Sequence, residues 1–335
     1  ARRYGDCKDK SVLMIAMLRQ LGIEAHLALV RTRRGGRVLA DVPSQQFNHA
    51  VVYLPSQPGL EQGRFLDATA ENLDLDVLRP DVQGTVALVL FPDRYRLIPV
   101  PYQEPERSPF AMRIDLRLAA DGSAAATLDL AIKGVAAGRV RKPLQNHQIL
   151  HQYAQSVIHQ LYPDCTLDNV RVDGHRTILK PLRVELKASC AGAARVDGET
   201  LRLRLPRLLS LITGPARWTE RKHPLFLGTL ELVTADVSIH PPPGLALRDP
   251  PQPIAVKDPC VEASGSVNPL PDGGARYLQR FRRSCAEVPA ARYPAFRAAL
   301  NRLKRYLDEE EVVLGPPQKK ARKVRPARRP AVRDR

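Results

Sequence analysis

A cysteine at position 7, a histidine at 49 and an aspartate at 67 sit in the motifs GDCKDKS, FNHAVVYL and FLDAT, and together these residue types could carry out nucleophilic acyl transfer. A cysteine nucleophile needs a populated thiolate, a base within hydrogen-bond reach, and a group that orients the base. Cys7 follows Gly5-Asp6 and precedes Lys8-Asp9-Lys10, a polar setting unlike the apolar runs that hold buried structural cysteines. A helix starting here would set its positive end against the sulfur and favour the thiolate. Its unpaired N–H groups would also be available to a developing oxyanion. His49 begins an apolar run and is the expected general base, and Asp67 ends the next such run and is the expected orienting carboxylate. Asp6 and Asn48, the immediate neighbours, are expected to support the two reacting groups.

The elements that must position these residues are legible in the spacing. Val12, Ile15, Met17-Leu18 and Leu21 recur at helical steps, Asp6 suits an N-cap and Gly22 a stop, so residues 7–21 read as one helix. EAHLALVRT, NHAVVYL and RFLDAT read as three strands joined by short loops, which predicts an antiparallel sheet against one helix, an α+β arrangement. If the second and third strands are neighbours, the Asp67 carboxylate falls beside the His49 ring.

The ordered motifs GDCKDKSVLMIAMLRQLGIEAHLALVRT, FNHAVVYL and FLDATA resemble the second half of the transglutaminase-like core, especially the bacterial subgroup with an N-terminal domain of unknown function. The resemblance covers about the first 75 residues. It implies that Cys7 is the nucleophile, His49 the general base and Asp67 the residue that orients it, in acyl transfer on peptide or protein amides through a thioester. Water would resolve that thioester in a protease or amidase, an amine in a transglutaminase. No cofactor is implied. Members of this superfamily pack upstream helices on the catalytic helix, whereas six residues precede Cys7 here, so a partial core is expected. The alternative is an inert envelope scaffold or binding module that retains a relic triad.

Residues 1–101 are accordingly read as the partial core, 109–314 as a β-rich, sandwich-like region with two helices, and 315–335 as a disordered basic tail. Tyr102–Ser108, rich in Pro and Glu, is read as the linker. Alternation on both sides of Asp121-Gly122 marks a hairpin, and the Pro271-Asp272-Gly273-Gly274 stretch marks another. The later region also resembles the C-terminal domain of the same subgroup.

The other four cysteines form two pairs, Cys165/Cys190 and Cys260/Cys285, each 25 residues apart. A two-residue turn at Asp272-Gly273 would bring Cys260 and Cys285 directly opposite one another, so both pairs are expected as disulfides. Two bridges plus one thiol would place the protein in an oxidising compartment such as a periplasm or cell envelope. The alternative is four free thiols in a cytoplasmic protein.

The net charge of +17 is unevenly spread. Residues 316–335 hold nine Lys/Arg against one Asp, so this stretch alone supplies +8. Without interleaved aromatics it does not read as a specific nucleic-acid binder; contact with anionic surfaces is the expectation. No apolar run is long enough for a membrane helix. His147 and His151 share one helix face, but no third ligand stands nearby and no metal site is expected.

Overall fold

The computed structural model describes residues 4–42, 44–206 and 217–317. Asp6 opens helix α1 (Cys7–Gln20). Its Oδ1 accepts the N–H groups of Lys8 and Asp9 at 2.8 and 3.2 Å, and Asp9 Oδ2 accepts the Asp6 N–H at 3.0 Å, a reciprocal capping box. Gly5 makes the return contact possible, because a Cβ there would meet the Asp9 Cβ at 2.6 Å. At the other end Gly22 takes φ +74°, with Gly22 N–H donating to Arg19 and Ile23 N–H to Leu18. This is the paired bonding of a Schellman stop.

The face that α1 buries differs from the expected one. Ser11 and Ile15 are buried and Met14 and Leu18 partly so, while Val12, Met17 and Leu21 are 55%, 63% and 75% exposed. Positions 11, 14, 15 and 18 make the inward stripe, and the Ser11 hydroxyl fixes it by donating to the Ala50 carbonyl at 3.2 Å.

Beneath α1 lie β1 (His26–Val30), β2 (His49–Leu54), β3 (Arg64–Leu66), β4 (Val86–Leu90) and β5 (Tyr95–Pro99), in the order β3-β2-β1-β4-β5 with every pair antiparallel. The three expected strands are present, and two more extend the sheet beyond β1. Ile15, Val52, Leu54 and Leu66 form the apolar layer under α1. On the opposite face Val30, Val51, Phe65 and Val89 pack under Leu78, Val82 and Val100 from the loops. Burial on both faces explains why β2 reads as a continuous apolar run.

The remainder comprises β6 (Pro109–Leu118), β7 (Ala124–Ile132), α2 (Gly134–Arg141), α3 (His147–Leu161), β8 (Cys165–Asp173), β9 (Leu182–Cys190), β10 (Arg195–Asp197), β11 (Thr200–Arg204), β12 (Leu225–Phe226), β13 (Glu231–His240), β14 (Ala246–Arg248), β15 (Ile254–Asp258), β16 (Val261–Pro269), β17 (Ala275–Arg283), β18 (Glu287–Val288), α4 (Tyr293–Glu309) and β19 (Glu311–Gly315). An eight-stranded sheet runs β15-β16-β17-β13-β6-β7-β9-β8, with β13 and β6 parallel, and a four-stranded sheet runs β10-β11-β19-β14. One continuous apolar core joins alternate residues of the large sheet to α3, α4 and the small sheet. The molecule is α+β and sheet-rich.

Three expectations change here. The described residues after the linker hold three helices rather than two, because Gly134–Arg141 is helical. A strand, β19, follows α4 and pairs with β11 and β14, so ordered chain extends to Gly315 at the start of the expected tail. Residues 318–335, most of that tail, lie outside the described residues. The third change concerns turns. Leu270 and Gly274 bracket a three-residue loop whose Gly273 sits at φ +85°, and Ala119 and Ser123 bracket its counterpart with Gly122 at φ +83°. The extra residue shifts the β16–β17 register, so Cys260 lies level with Ser284 rather than Cys285. Both cysteines lie just beyond the last ladder pair, and they are bonded with their Cα atoms 5.0 Å apart. Cys165 and Cys190 are direct cross-strand partners and are also bonded.

The linker is pinned rather than loose. Glu106 pairs with Arg282 at 2.9 Å, and Arg107 pairs with Asp76. Arg141, 2% exposed, donates to the carbonyls of Gly174 and Lys180 and lies 3.5 Å from Asp74, tying α2 to the segment that follows β3.

Candidate active site

Three chain segments meet at one end of the five-stranded sheet. The β1–β2 register pairs Val30 with His49, so β1 ends where β2 begins. The β2–β3 register pairs Val52 with Leu66, which sets Asp67 level with Val51 and two residues along from His49. From that diagonal position Asp67 Oδ2 and His49 Nε2 are 2.9 Å apart. Both side chains are buried, Asp67 completely.

The carboxylate is held ionised in spite of its burial. Desolvation pushes its pKa up, but hydrogen bonds from His49, from the Thr69 hydroxyl at 2.6 Å and from the Thr69 N–H at 2.9 Å outweigh it, and the net value lies below the ordinary one. An ionised carboxylate only accepts hydrogen bonds, so His49 Nε2 carries the proton and donates. Nδ1 is then the basic nitrogen, and it makes no hydrogen bond among the described residues. Arg79 lies 4.0 Å from Asp67 Oδ2 while pairing with Asp81 at 2.7 Å, so its charge near the site is largely balanced.

Cys7 is the first residue of α1, half-buried, and the one cysteine outside the disulfides. Ser11, one helical turn further on, touches the carbonyl of Ala50, the residue after His49. Asp6 serves as the cap, which alters the expected oxyanion donors. Its carboxylate already takes the N–H groups of Lys8 and Asp9, leaving the Cys7 N–H as the first-turn donor without a partner among the described residues. That engagement, with the Asp9 N–H foremost, holds the Asp6 carboxyl below its usual range.

Asn48 braces rather than reacts. Its side chain accepts the Thr32 N–H at 2.8 Å and donates to the Thr32 hydroxyl at 3.1 Å, fixing the loop that leads into His49.

Four contributors went unread in the sequence. Asp9 was findable as the second acid of an Asp-x-x-Asp cap, Thr69 as the hydroxyl two residues after Asp67, and Ser11 as a polar residue four along from Cys7. Arg79 has no local signal. The His147 and His151 rings lie with centroids 4.5 Å apart and tilted by 48°, and no cluster of three metal-ligating side chains exists among the described residues. Grooves of about 570 and 750 Å³ lie along the eight-stranded sheet and touch none of Cys7, His49 or Asp67. Chemistry and concavity therefore point to different places, and the polar geometry is the stronger guide because it aligns a specific tautomer.

No family model matches the chain, and no curated protein matches it. A solved structure from Parabacteroides distasonis, described as "a putative protease", aligns with a TM-score of 0.48 at 11% identity, over 91% of this chain and 43% of that one. The chain thus spans less than half the length of that neighbour. A likeness of this degree identifies no family.

Proposed function

We propose that the protein is a cysteine acyl-transfer enzyme of transglutaminase-like type, acting on peptide or protein amides. The observation that carries the reading is the 2.9 Å bond from His49 to a fully buried, ionised Asp67, at the strand end beside the helix that begins with Cys7. Ser11 ties α1 to the carbonyl of Ala50, the residue after His49, and Cys7 lies one turn of helix, about 5.4 Å, before Ser11. No bond joins Cys7 to His49 among the described residues, so the reading requires the imidazole at the start of β2 to reach around the sheet end to the sulfur. Asp67 holds Nε2–H, and Nδ1 takes the thiol proton as the sulfur attacks the amide carbon. The tetrahedral oxyanion accepts the Cys7 N–H. His49 then returns the proton to the departing amine, leaving a thioester that water or a second amine resolves. The two disulfides favour a periplasmic or envelope setting.

A second reading, an inert binding module, is favoured by the Asp6 cap, which removes two of the three first-turn donors. Turnover decides between them. Incubation with a glutamine-containing peptide should release ammonia in the wild type and not in Cys7→Ala, with His49→Gln reduced by about 10²-fold or more. Equal release by wild type and Cys7→Ala would overturn the enzymatic reading.

A further inference from the structure

The two flanks of the site differ in charge. On the helix flank, among the described residues, the two lysines of the first turn each have a carboxylate: Lys8 lies 3.6 Å from Asp6, and Lys10 lies 2.9 Å from Glu71. The opposite flank is the β1–β2 loop, residues 31–48, which carries Arg31, Arg33, Arg34 and Arg37 against a single acid, Asp41. Arg33 is absorbed into structure, donating to the Tyr102 hydroxyl at 2.7 Å and lying 4.2 Å over the Phe226 ring. Arg31 is bound to the Gly35 carbonyl and to Gln46. Arg34 and Arg37 are exposed, and neither has a carboxylate within ion-pair reach among the described residues.

The first turn of this loop, residues 32–35, is fastened close to His49. Thr32 is bonded twice to Asn48, the residue before His49, and the Arg33 N–H donates to the Asp81 carbonyl at 2.9 Å. Gly35 packs so closely on Asn48 that a Cβ at Gly35 would stand 3.3 Å from the Asn48 amide nitrogen. Arg34 thus rides on a turn fastened one residue from the imidazole, and Arg37 stands two residues past that fastening. Exposed guanidiniums on a loop whose first turn is fastened to the residue before His49 present a fork that suits carboxylates.

We infer that Arg34 and Arg37 form a selectivity rim for anionic peptides, drawing in chains that carry a carboxylate within a few residues of the amide to be attacked. The inference rests on the reading of Cys7 and His49 as the reacting pair, and its test does not depend on turnover. Cys7 is the one thiol outside the disulfides, so its alkylation by neutral iodoacetamide, followed by mass, reports occupancy of the site. The probes are two capped pentapeptides with a central glutamine, one flanked by glutamates and the other by glutamines.

The glutamate peptide should half-protect Cys7 at a concentration about fivefold lower than its neutral counterpart, the scale expected of two exposed ion pairs. The advantage should shrink between about 20 mM and about 500 mM salt. In the Arg34→Gln/Arg37→Gln protein, which keeps side-chain length, the ratio should fall toward one, with protection by the neutral peptide unchanged. Equal protection by the two peptides, a ratio untouched by the double substitution, or no protection by either would overturn the inference. Discriminating protection without Cys7-dependent ammonia release would leave the rim standing and sink the enzymatic reading alone.

Discussion

Helices α1 and α4 are held in place by different means. α4 buries Tyr293, Phe296, Leu300, Leu303, Tyr306 and Leu307 in the large core, an unbroken stripe over 17 residues. α1, with 14 residues, buries only Ser11 and Ile15 and leaves Val12, Leu13 and Met17 more than half exposed. Apolar area secures α4, so its position tolerates the absence of an N-terminal side-chain cap. α1 depends on its ends, a capping box at the start and a Schellman stop at the finish, with the Ser11 hydrogen bond between them. A helix fixed in this way has a well-defined first turn even though little area stabilises its body, and the first turn is where Cys7 sits.

That contrast can be broken at several points. Phe296→Ala in α4 should cost the most, about 3–5 kcal/mol by chemical denaturation, since the ring is 2% exposed inside a continuous core. Reduction of the disulfides should come next: each closes a 25-residue separation, so losing one should cost about 3–4 kcal/mol in the loop-entropy account. Thiol titration of the denatured, unreduced protein should find one reactive group, and five would remove both bridges. Asp67→Asn should act through pH. The folded-state pKa of Asp67 is lowered, so its contribution is present above the ordinary value of 3.8 and is lost as pH falls through the folded value. Acid unfolding of the wild type followed at the five-stranded sheet by hydrogen exchange should therefore carry a pH dependence that Asp67→Asn lacks, and parallel curves would refute the charge assignment. Smallest of all, Met17→Ala should change stability by less than about 0.5 kcal/mol, because the side chain is 63% exposed. A loss above 2 kcal/mol would show that this face of α1 is covered in solution.

Motif chemistry was more legible than packing. The Asp6 cap, the Gly22 stop and the Asp121-Gly122 hairpin were readable because each rests on contacts within a few residues, and the three strands leading to Asp67 because short apolar runs mark strands before their partners are known. The disulfide pairs could be proposed from equal separations, yet the turn at Pro271–Gly273 carries one residue more than a two-residue hairpin. The Cys260–Cys285 pairing thus held although the register behind it did not. β19 was hidden because EVVLG is a short run directly after a helix, and its partners in β11 and β14 lie far away in the chain.

By itself the sequence determined where α1 begins and ends, because capping and turn formation are local and depend on residue type. Tertiary structure decided three further things: the diagonal that brings His49 to Asp67, the face on which α1 rests, and the use of the Lys8 and Asp9 N–H groups by the cap. Each depends on strand register or on competition for one hydrogen bond, and both are settled only when distant segments pack and exclude water.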